Sequence, residues 1–307
     1  MSPTLEPLFH HDAVVATLAS GSRGNCTYVG TAQRGVLVDC GLSTRQVMRR
    51  MDEIGLGDAR IEAVAITHEH ADHVGAARIL CDRLHRQQGR RVPFYMTRGT
   101  QRGLNPRCEP QRIEQVVAGV AFQVQGITIE PYRIPHDVCD PVAYVVSVGE
   151  VQVGVVTDLG RSTRLVERQL ARCDVAVVEF NHDLEMLLDG PYPWPLKQRV
   201  RGGHGHLSNA QAEALVTAGT SGRLKHLVLA HLSDDNNRPD LALAAAHRAL
   251  WAAGARGVEV EVASQQLPLG PMRVSTPTAF RPLEPRRRAK RTSAATAGHS
   301  AGQLTLF

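Results

Sequence analysis

Six consecutive residues near position 70 carry a high density of side chains that can bind metal ions. They read His68-Glu69-His70-Ala71-Asp72-His73, so five of the six are histidines or carboxylates. Neutral imidazole and carboxylate groups are ligands that Zn²⁺, Mn²⁺ and Fe²⁺ accept. On a turn, His68 and His70 can face one ion while Asp72 and His73 face a second. The motif therefore predicts a metal site rather than a solvated polar loop.

A two-metal site needs more ligands than one loop supplies, and the later sequence offers three isolated candidates. Each comes directly after a strand-like run: His136 after 129–135, Asp158 after 153–157 and His231 after 227–230. Any one of them alone would more often be a capping or surface residue. Together they complete the ligands of two ions, because Asp158 has enough lone pairs to bridge both.

The metal motif lies between a predicted strand and a predicted helix. The apolar run 61–67 leads into it, and apolar residues at helical spacing follow over 74–86. Two strand-rich halves, each with helices, predict a sheet-on-sheet sandwich with helical outer layers. Further strands are predicted over 14–18, 26–29, 35–39, 94–96, 113–117, 120–124, 127–134, 142–148, 151–156, 175–178, 226–229 and 258–262, and helices over 44–54, 163–171, 209–218 and 241–253.

The run from 14 to 231 resembles the metallo-β-lactamase superfamily. Its H-x-H-x-D-H signature is matched by the motif at 68–73, and the later order His, Asp, His is similar to its remaining ligands. The resemblance implies an α/β fold, the four-layer αββα sandwich, with two divalent metal ions (Zn²⁺ or Mn²⁺, with Fe²⁺ also compatible) at one edge of the sheets. It implies one ion on His68, His70 and His136, a second on Asp72, His73 and His231, and Asp158 as the bridge.

Further motifs resemble the YycJ/WalJ branch of this superfamily, which is associated with 5′-to-3′ exonuclease activity on DNA and with mismatch repair. They include Ser20-Gly-Ser-Arg-Gly-Asn25, Glu179-Phe-Asn-His-Asp183 and Gly205-His-Leu-Ser-Asn209. This resemblance covers nearly all of residues 13–265. The β-CASP nucleases are similar only around 205–208, and the chain leaves too few residues between positions 158 and 206 for their inserted cap domain.

The motifs also supply candidates for roles beside the metals. Asp72 could orient the nucleophile, and His206 could contact the phosphate or protonate the leaving oxygen. The alternative for His206 is a structural place at the start of a helix. Small residues in the loop 20–25 let backbone N–H groups approach an anion, although such loops are often plain turns. The candidates for substrate binding are Ser22, Asn25, His182, His204 and Ser208, and a structural role is equally open for His182.

The composition changes near position 281, where a basic run gives way to a Ser/Ala/Thr/Gly-rich stretch. Such segments bury too little apolar surface to fold. We therefore predict a flexible N-terminus over 1–12, a metallo-β-lactamase domain over 13–280, a disordered basic linker over 281–302 and a separate peptide at 303–307.

The last five residues resemble the short peptide by which bacterial repair and replication proteins bind the sliding clamp. They read Gln303-Leu304-Thr305-Leu306-Phe307. In that role Leu304, Leu306 and Phe307 would fill an apolar cleft, and Gln303 would make polar contacts. The basic run before the peptide could hold DNA through phosphate contacts alone.

Composition narrows the class of protein. The N-terminus lacks the basic and apolar regions of a secretory signal, and the apolar runs are too short to span a bilayer. We therefore expect a cytoplasmic protein with no membrane contact, which disfavours a secreted β-lactamase. The six cysteines are scattered without a C-x-x-C pair, which argues against a disulfide framework and a zinc knuckle.

The sequence thus predicts an enzyme, a two-metal-dependent phosphodiesterase. Its predicted activity is that of a 5′-to-3′ DNA exonuclease in mismatch repair, with DNA and the sliding clamp as partners. The alternative in the same fold is a phosphodiesterase of RNA ends or small cyclic phosphates, which would have no need of a clamp peptide. A non-enzymatic scaffold is disfavoured because the ligand set is complete.

Overall fold

Two seven-stranded sheets form the centre of the computed structural model, which describes residues 12–275. The first sheet has the spatial order β14 (Leu269–Val274), β1 (Ala13–Ala19), β2 (Cys26–Gly30), β3 (Arg34–Val38), β4 (Arg60–Ala65), β5 (Phe94–Thr97) and β6 (Ile113–Val116). The second has the order β13 (Glu259–Val262), β12 (His226–Ala230), β11 (Val175–Glu179), β10 (Val151–Val156), β9 (Val142–Val148), β8 (Ile127–Arg133) and β7 (Phe122–Val124).

Nine helices accompany the sheets in the part of the chain that the structure describes. They are α1 (Thr44–Glu53), α2 (Ala71–Val74), α3 (Ala77–Gln88), α4 (Arg98–Gly103), α5 (Arg164–Leu170), α6 (Leu184–Asp189), α7 (Trp194–Val200), α8 (Asn209–Gly219) and α9 (Pro239–Ala252). Between residues 12 and 275, no helix combines the length and the apolar composition needed to cross a bilayer. Residues 1–11 of the predicted N-terminal segment, 276–280 of the predicted domain, the whole linker 281–302 and the peptide 303–307 lie outside the described residues.

Three apolar clusters hold four layers together. On β1, Val15 faces the second sheet while Leu18 faces the outer helices, because successive side chains of a strand point to opposite faces. The outer cluster of the first sheet includes Leu80 of α3, and that of the second includes Leu215 of α8. The predicted αββα sandwich is therefore confirmed.

Parallel strands determine where the site lies. Strands β3 to β6 run parallel in the first sheet, and β10 to β13 run parallel in the second. In sheets of this kind, ligands bind beyond the carboxyl ends of the strands. The residues that leave β4, β10 and β12 include His68, Asp158 and His231, so the predicted ligands converge from both sheets.

Candidate metal centre

His68, His70 and His136 form the first group of potential ligands. Nε2 of His68 lies 3.0 Å from Nδ1 of His70, and Nε2 of His136 lies 3.4 Å from the same atom. His68 and His136 are buried, whereas His70 is partly exposed. Three imidazole nitrogens thus face a common point, which is the arrangement that a divalent ion needs.

Asp72, His73 and His231 form the second group. Oδ2 of Asp72 lies 3.4 Å from Nε2 of His73 and 3.6 Å from Nε2 of His231. Asp158 lies between the two groups, because its Oδ2 contacts Nε2 of His73 and is 3.7 Å from Nε2 of His68. The structure therefore brings together all seven residues that the sequence predicts as ligands.

His68 and His73, which follow strand β4, are contacted by Thr67 and Asp39 at the Nδ1 side of their rings. Thr67 Oγ1 is 3.0 Å from Nδ1 of His68, and it also donates a hydrogen bond to Asp39. Nδ1 of His73 lies 2.8 Å from Oδ2 of Asp39. Since a carboxylate can only accept, that Nδ1 carries the proton, and Nε2 of His73 is left to face the cluster.

Two histidines from the second sheet are oriented in the same way. Nδ1 of His231 lies 2.9 Å from Oε1 of Glu179, and Nδ1 of His136 lies 3.2 Å from the carbonyl oxygen of Gly205. Glu179 also binds Nδ1 of His206 at 2.7 Å. Partners of this kind fix the ring of a metal-binding histidine and raise its basicity. Asp39 and Glu179 were not among the predicted site residues, although both stand at strand ends as the predicted ligands do.

Buried atoms without partners test whether the cluster fits metal ions. Both carboxylate oxygens of Asp158 and Nε2 of His231 are buried and make no hydrogen bond of good geometry within the described residues. Leaving such atoms unpaired is costly, and a bound cation would satisfy them. All the inward-facing atoms are nitrogen or oxygen, so the residues fit Zn²⁺, Mn²⁺ or Fe²⁺.

The backbone is strained where three of these residues leave their strands. Asp39, Asp158 and His231 have φ angles of 62°, 56° and 55°, in the left-handed region that non-glycine residues rarely adopt. Each such residue costs about 1–3 kcal/mol and persists only where its surroundings enforce it. At these three positions the left-handed turn directs a side chain into the cluster instead of along the sheet.

The carboxylates of the cluster create a field that favours cations. Burial lowers the pKa of His73 and of His231, but Asp158 and its neighbouring carboxylates outweigh burial and raise both pKa values well above the ordinary value. For His206, burial is outweighed by Glu179 and Asp158, which together raise its pKa to about 9. The same field that stabilises a protonated imidazole would stabilise a divalent ion.

A cleft of about 190 Å³ opens onto the cluster. Asp72 and His206, the two predicted catalytic residues, both line it. Beyond the ligands, Leu196, Arg199 and Val200 from α7 and Asp137 complete its wall. Arg199 and Asp137 were not among the predicted site residues. The order of residues along the chain does not show which side chains a short helix such as α7 brings to the cleft.

Of the five predicted substrate-binding residues, the structure brings only Ser22 to the cleft. Asn25 is buried, and its Nδ2 donates to Oδ2 of Asp72 at 3.2 Å. Ser208 is the N-cap of α8, where its hydroxyl accepts a hydrogen bond from the backbone of Gln211. His182 is buried beside Asn181, and His204 is exposed outside the lining. Capping accounts for the position of Ser208 and burial for those of Asn25 and His182, whereas a substrate contact by the exposed His204 stays a prediction.

The architecture and the paired His/Asp groups define a hydrolase of metallo-β-lactamase type. A family model described as a beta-lactamase superfamily domain matches residues 34–231, which contain every predicted ligand. The chain belongs to this family.

Relatives and a solved structure extend the comparison. Exodeoxyribonuclease YycJ of Bacillus anthracis is 30% identical over 232 residues, which cover 74% of this chain and 85% of the relative. Exodeoxyribonuclease WalJ of Streptococcus pneumoniae is 32% identical over 231 residues, covering 73% and 83%. The metallo-beta-lactamase fold protein YhfI from Bacillus subtilis has a TM-score of 0.62 at 15% identity, over 84% of this chain and 99% of that one, and so shares the fold. The chain is a metal-dependent hydrolase of the phosphodiesterase class.

Proposed function

We propose that this protein is a DNA exonuclease that degrades a strand from its 5′ end, in the cytoplasm, as a step of mismatch repair. The observation that carries the proposal is the pairing of two ligand groups around Asp158, in a chain similar over about three quarters of its length to proteins named exodeoxyribonucleases. Paired divalent ions suit the cleavage of phosphodiesters, because both the attacking and the leaving oxygen carry charge.

In this proposal the cluster holds two divalent ions, Zn²⁺ or Mn²⁺, with Fe²⁺ also chemically suitable. One ion would be bound by His68, His70 and His136, and the other by Asp72, His73 and His231, with Asp158 shared. When bound, the ions would lower the pKa of a water molecule between them and neutralise charge on the scissile phosphate.

The protein's own groups would position the reactants. Asp72 is held by Asn25 and lines the cleft, so its carboxylate can accept a hydrogen bond from the attacking water and orient it. His206 is fixed through Nδ1 by Glu179, which leaves Nε2 to the cleft. That nitrogen can donate a proton or a hydrogen bond to the oxygen that leaves the phosphorus.

The decisive experiment compares single carboxylate variants on end-labelled DNA. Wild-type protein loaded with Mn²⁺ should shorten 5′-phosphorylated DNA from the 5′ end, and both Asp72→Asn and Asp158→Asn should abolish the activity. Asp58→Asn, which changes an exposed carboxylate outside the cleft lining, is the matched control and should leave the activity within twofold. Activity in either cluster variant, or cleavage of RNA or cyclic nucleotides in preference to DNA, would contradict the proposal.

Recruitment by a sliding clamp is a separate part of the proposal. It is supported by the sequence Gln303–Phe307 alone, since these residues lie outside the described part of the chain. Removing residues 303–307 should leave the activity on naked DNA unchanged and end co-purification with the clamp. Equal clamp binding by the shortened chain would refute this part without affecting the nuclease assignment.

A further inference from the structure

The wall of the cleft combines several carboxylates with one arginine. Three carboxylates line the cleft, namely Asp72, Asp137 and Asp158. Among the described residues of the lining, Arg199 is the only arginine or lysine. A nucleic-acid strand that entered this cleft would bring its own negative charge past these carboxylates. Beside the imidazole of His206, Arg199 can therefore compensate that charge from the α7 side of the cleft.

Arg199 is held in place through one edge of its guanidinium group. Its Nε donates a hydrogen bond to Oδ2 of Asp137, and the other oxygen of Asp137 lies 3.5 Å from Nε2 of His136. Within residues 12–275, neither Nη1 nor Nη2 of Arg199 makes a hydrogen bond. The carboxylate thus orients the guanidinium and leaves its two terminal nitrogens for another acceptor.

The backbone that carries Arg199 is tied to the metal cluster. The N–H of His206 donates to the carbonyl oxygen of Val200 at 2.8 Å, and the carbonyl oxygen of Gly205 faces Nδ1 of His136 at 3.2 Å. Gly205 packs so closely that a Cβ there would lie 2.1 Å from the carbonyl oxygen of Arg199. These contacts place the end of α7 at a defined position beside the ligands, and from there the exposed side chain of Arg199 reaches the mouth of the cleft.

We propose that Arg199 binds a phosphate group of the substrate strand beside the metal cluster. The inference rests on the proposed function, and it identifies a phosphate contact that is separate from the metal ligands. A planar guanidinium can make two parallel hydrogen bonds to phosphate oxygens, which lysine cannot do. Arg199 is then a substrate-binding residue, and Asp137 is the positioning residue that orients it.

Replacement of the guanidinium tests the contact by its effect on substrate affinity. Arg199→Gln should raise KM about tenfold, the loss expected for a charge-assisted hydrogen bond, while kcat changes much less. Arg201→Gln is the matched control, because Arg201 is exposed, lies two residues further along and does not line the cleft. It should leave KM within twofold. Arg199→Lys should recover part of the affinity, because it keeps the charge and loses the paired geometry.

A second measurement does not depend on turnover. Fluorescence anisotropy with 3′-labelled, cleavage-resistant phosphorothioate single-stranded DNA gives the affinity of each full-length, metal-loaded variant as salt is varied. Arg199→Gln should reduce the slope of log affinity against log salt by about 0.7, the value for one lost phosphate contact on a single strand. An unchanged slope and affinity would overturn the inference.

Modified substrates identify which phosphate is bound. If Arg199 binds the 5′-terminal phosphate, the penalty of Arg199→Gln should vanish on DNA that carries a 5′-hydroxyl. If it binds the first internal phosphate, the penalty should vanish when that linkage is an uncharged methylphosphonate. Either result supports the contact, because a pair of changes that share one interaction is not additive. A penalty that persists on both substrates would overturn it.

A purely structural role for Arg199 gives a different pattern. If Arg199 only ties Asp137 to α7, then Asp137→Asn and Arg199→Gln should lower the melting temperature equally and raise KM equally, which would overturn the inference. We expect Asp137→Asn to have the smaller effect on KM, because it leaves the guanidinium charge in place. Failure of the proposed function is distinguishable: the wild type would then not degrade DNA, whereas the anisotropy comparison would still report on the phosphate contact.

Discussion

Gly41 packs directly against the peptide group that follows Asp72. A Cβ on Gly41 would lie 1.7 Å from the carbonyl oxygen of Asp72 and 2.2 Å from its carbonyl carbon. That oxygen also accepts a hydrogen bond from the N–H of Asn25 at 2.7 Å. Gly41→Ala must therefore push the two loops apart by more than about 1 Å, and Asp72 moves with its backbone. A misplacement of about 1 Å near reacting groups can reduce a rate about 100-fold.

The fold itself should survive this change. Overpacking of one methyl group costs about 1–3 kcal/mol, less than the stability of a typical domain. We expect Gly41→Ala to fold, to bind less metal as measured by plasma mass spectrometry, and to lose about 100-fold in kcat/KM on DNA. Gly222→Ala is the control, since a Cβ there meets no atom within 4 Å. Wild-type metal content and activity in Gly41→Ala would refute the reasoning.

Two further substitutions test the support of the site and of the fold. Asp39→Asn should lower metal affinity about 10–100-fold in a chelator competition, because the neutral amide oxygen is a weaker acceptor for the Nδ1 proton of His73 than the carboxylate; unchanged affinity would show that the charge of Asp39 does not support this ring. Arg50→Met should reduce the free energy of unfolding in urea by about 2–4 kcal/mol, because its guanidinium binds three backbone carbonyl oxygens, one in β1 and two in the segment between β13 and β14. The neighbouring Arg49→Met removes only an exposed ion pair and should cost at most about 0.5 kcal/mol, so equal losses would contradict this account.

Much of the fold could be predicted because its strands are short apolar runs separated by turns. The strand predicted over 142–148 and that over 151–156 agree with β9 and β10 at both ends. The helix predicted over 74–86 corresponds to α3 (Ala77–Gln88), which begins three residues later because the short α2 ends at Val74. The elements that escaped prediction did so for local reasons. The helices α2, α4, α6 and α7 have at most seven residues each, too few to show a helical period, and β14 contains Gly270-Pro271, a dipeptide typical of turns.

Some residues of the candidate site could be predicted from the sequence, and others could not. The ligands could be predicted because each stands at the exit of an apolar strand or inside the dense motif at 68–73. Asp39 and Glu179 also stand at strand ends, but a carboxylate at a strand end does not by itself indicate a site. Their contacts with His73 and His231 form only when neighbouring strands pair in the sheet. Arg199 could not be predicted, because its place in the cleft depends on how α7 packs against Gly205.

The two sheets contribute unequal and incomplete parts of the metal centre. His68 to His73 follow β4 of the first sheet, whereas His136, Asp158 and His231 follow strands of the second. Neither group of candidate ligands is complete until the sheets have docked, so metal affinity and sheet docking would be thermodynamically linked, and an ion bound to either group would connect the two sheets. In the order of synthesis, His231 is the last ligand to leave the ribosome, and β14 then pairs with β1 from the far end of the domain. A complete set of candidate ligands therefore exists only once the chain has been synthesised past β12.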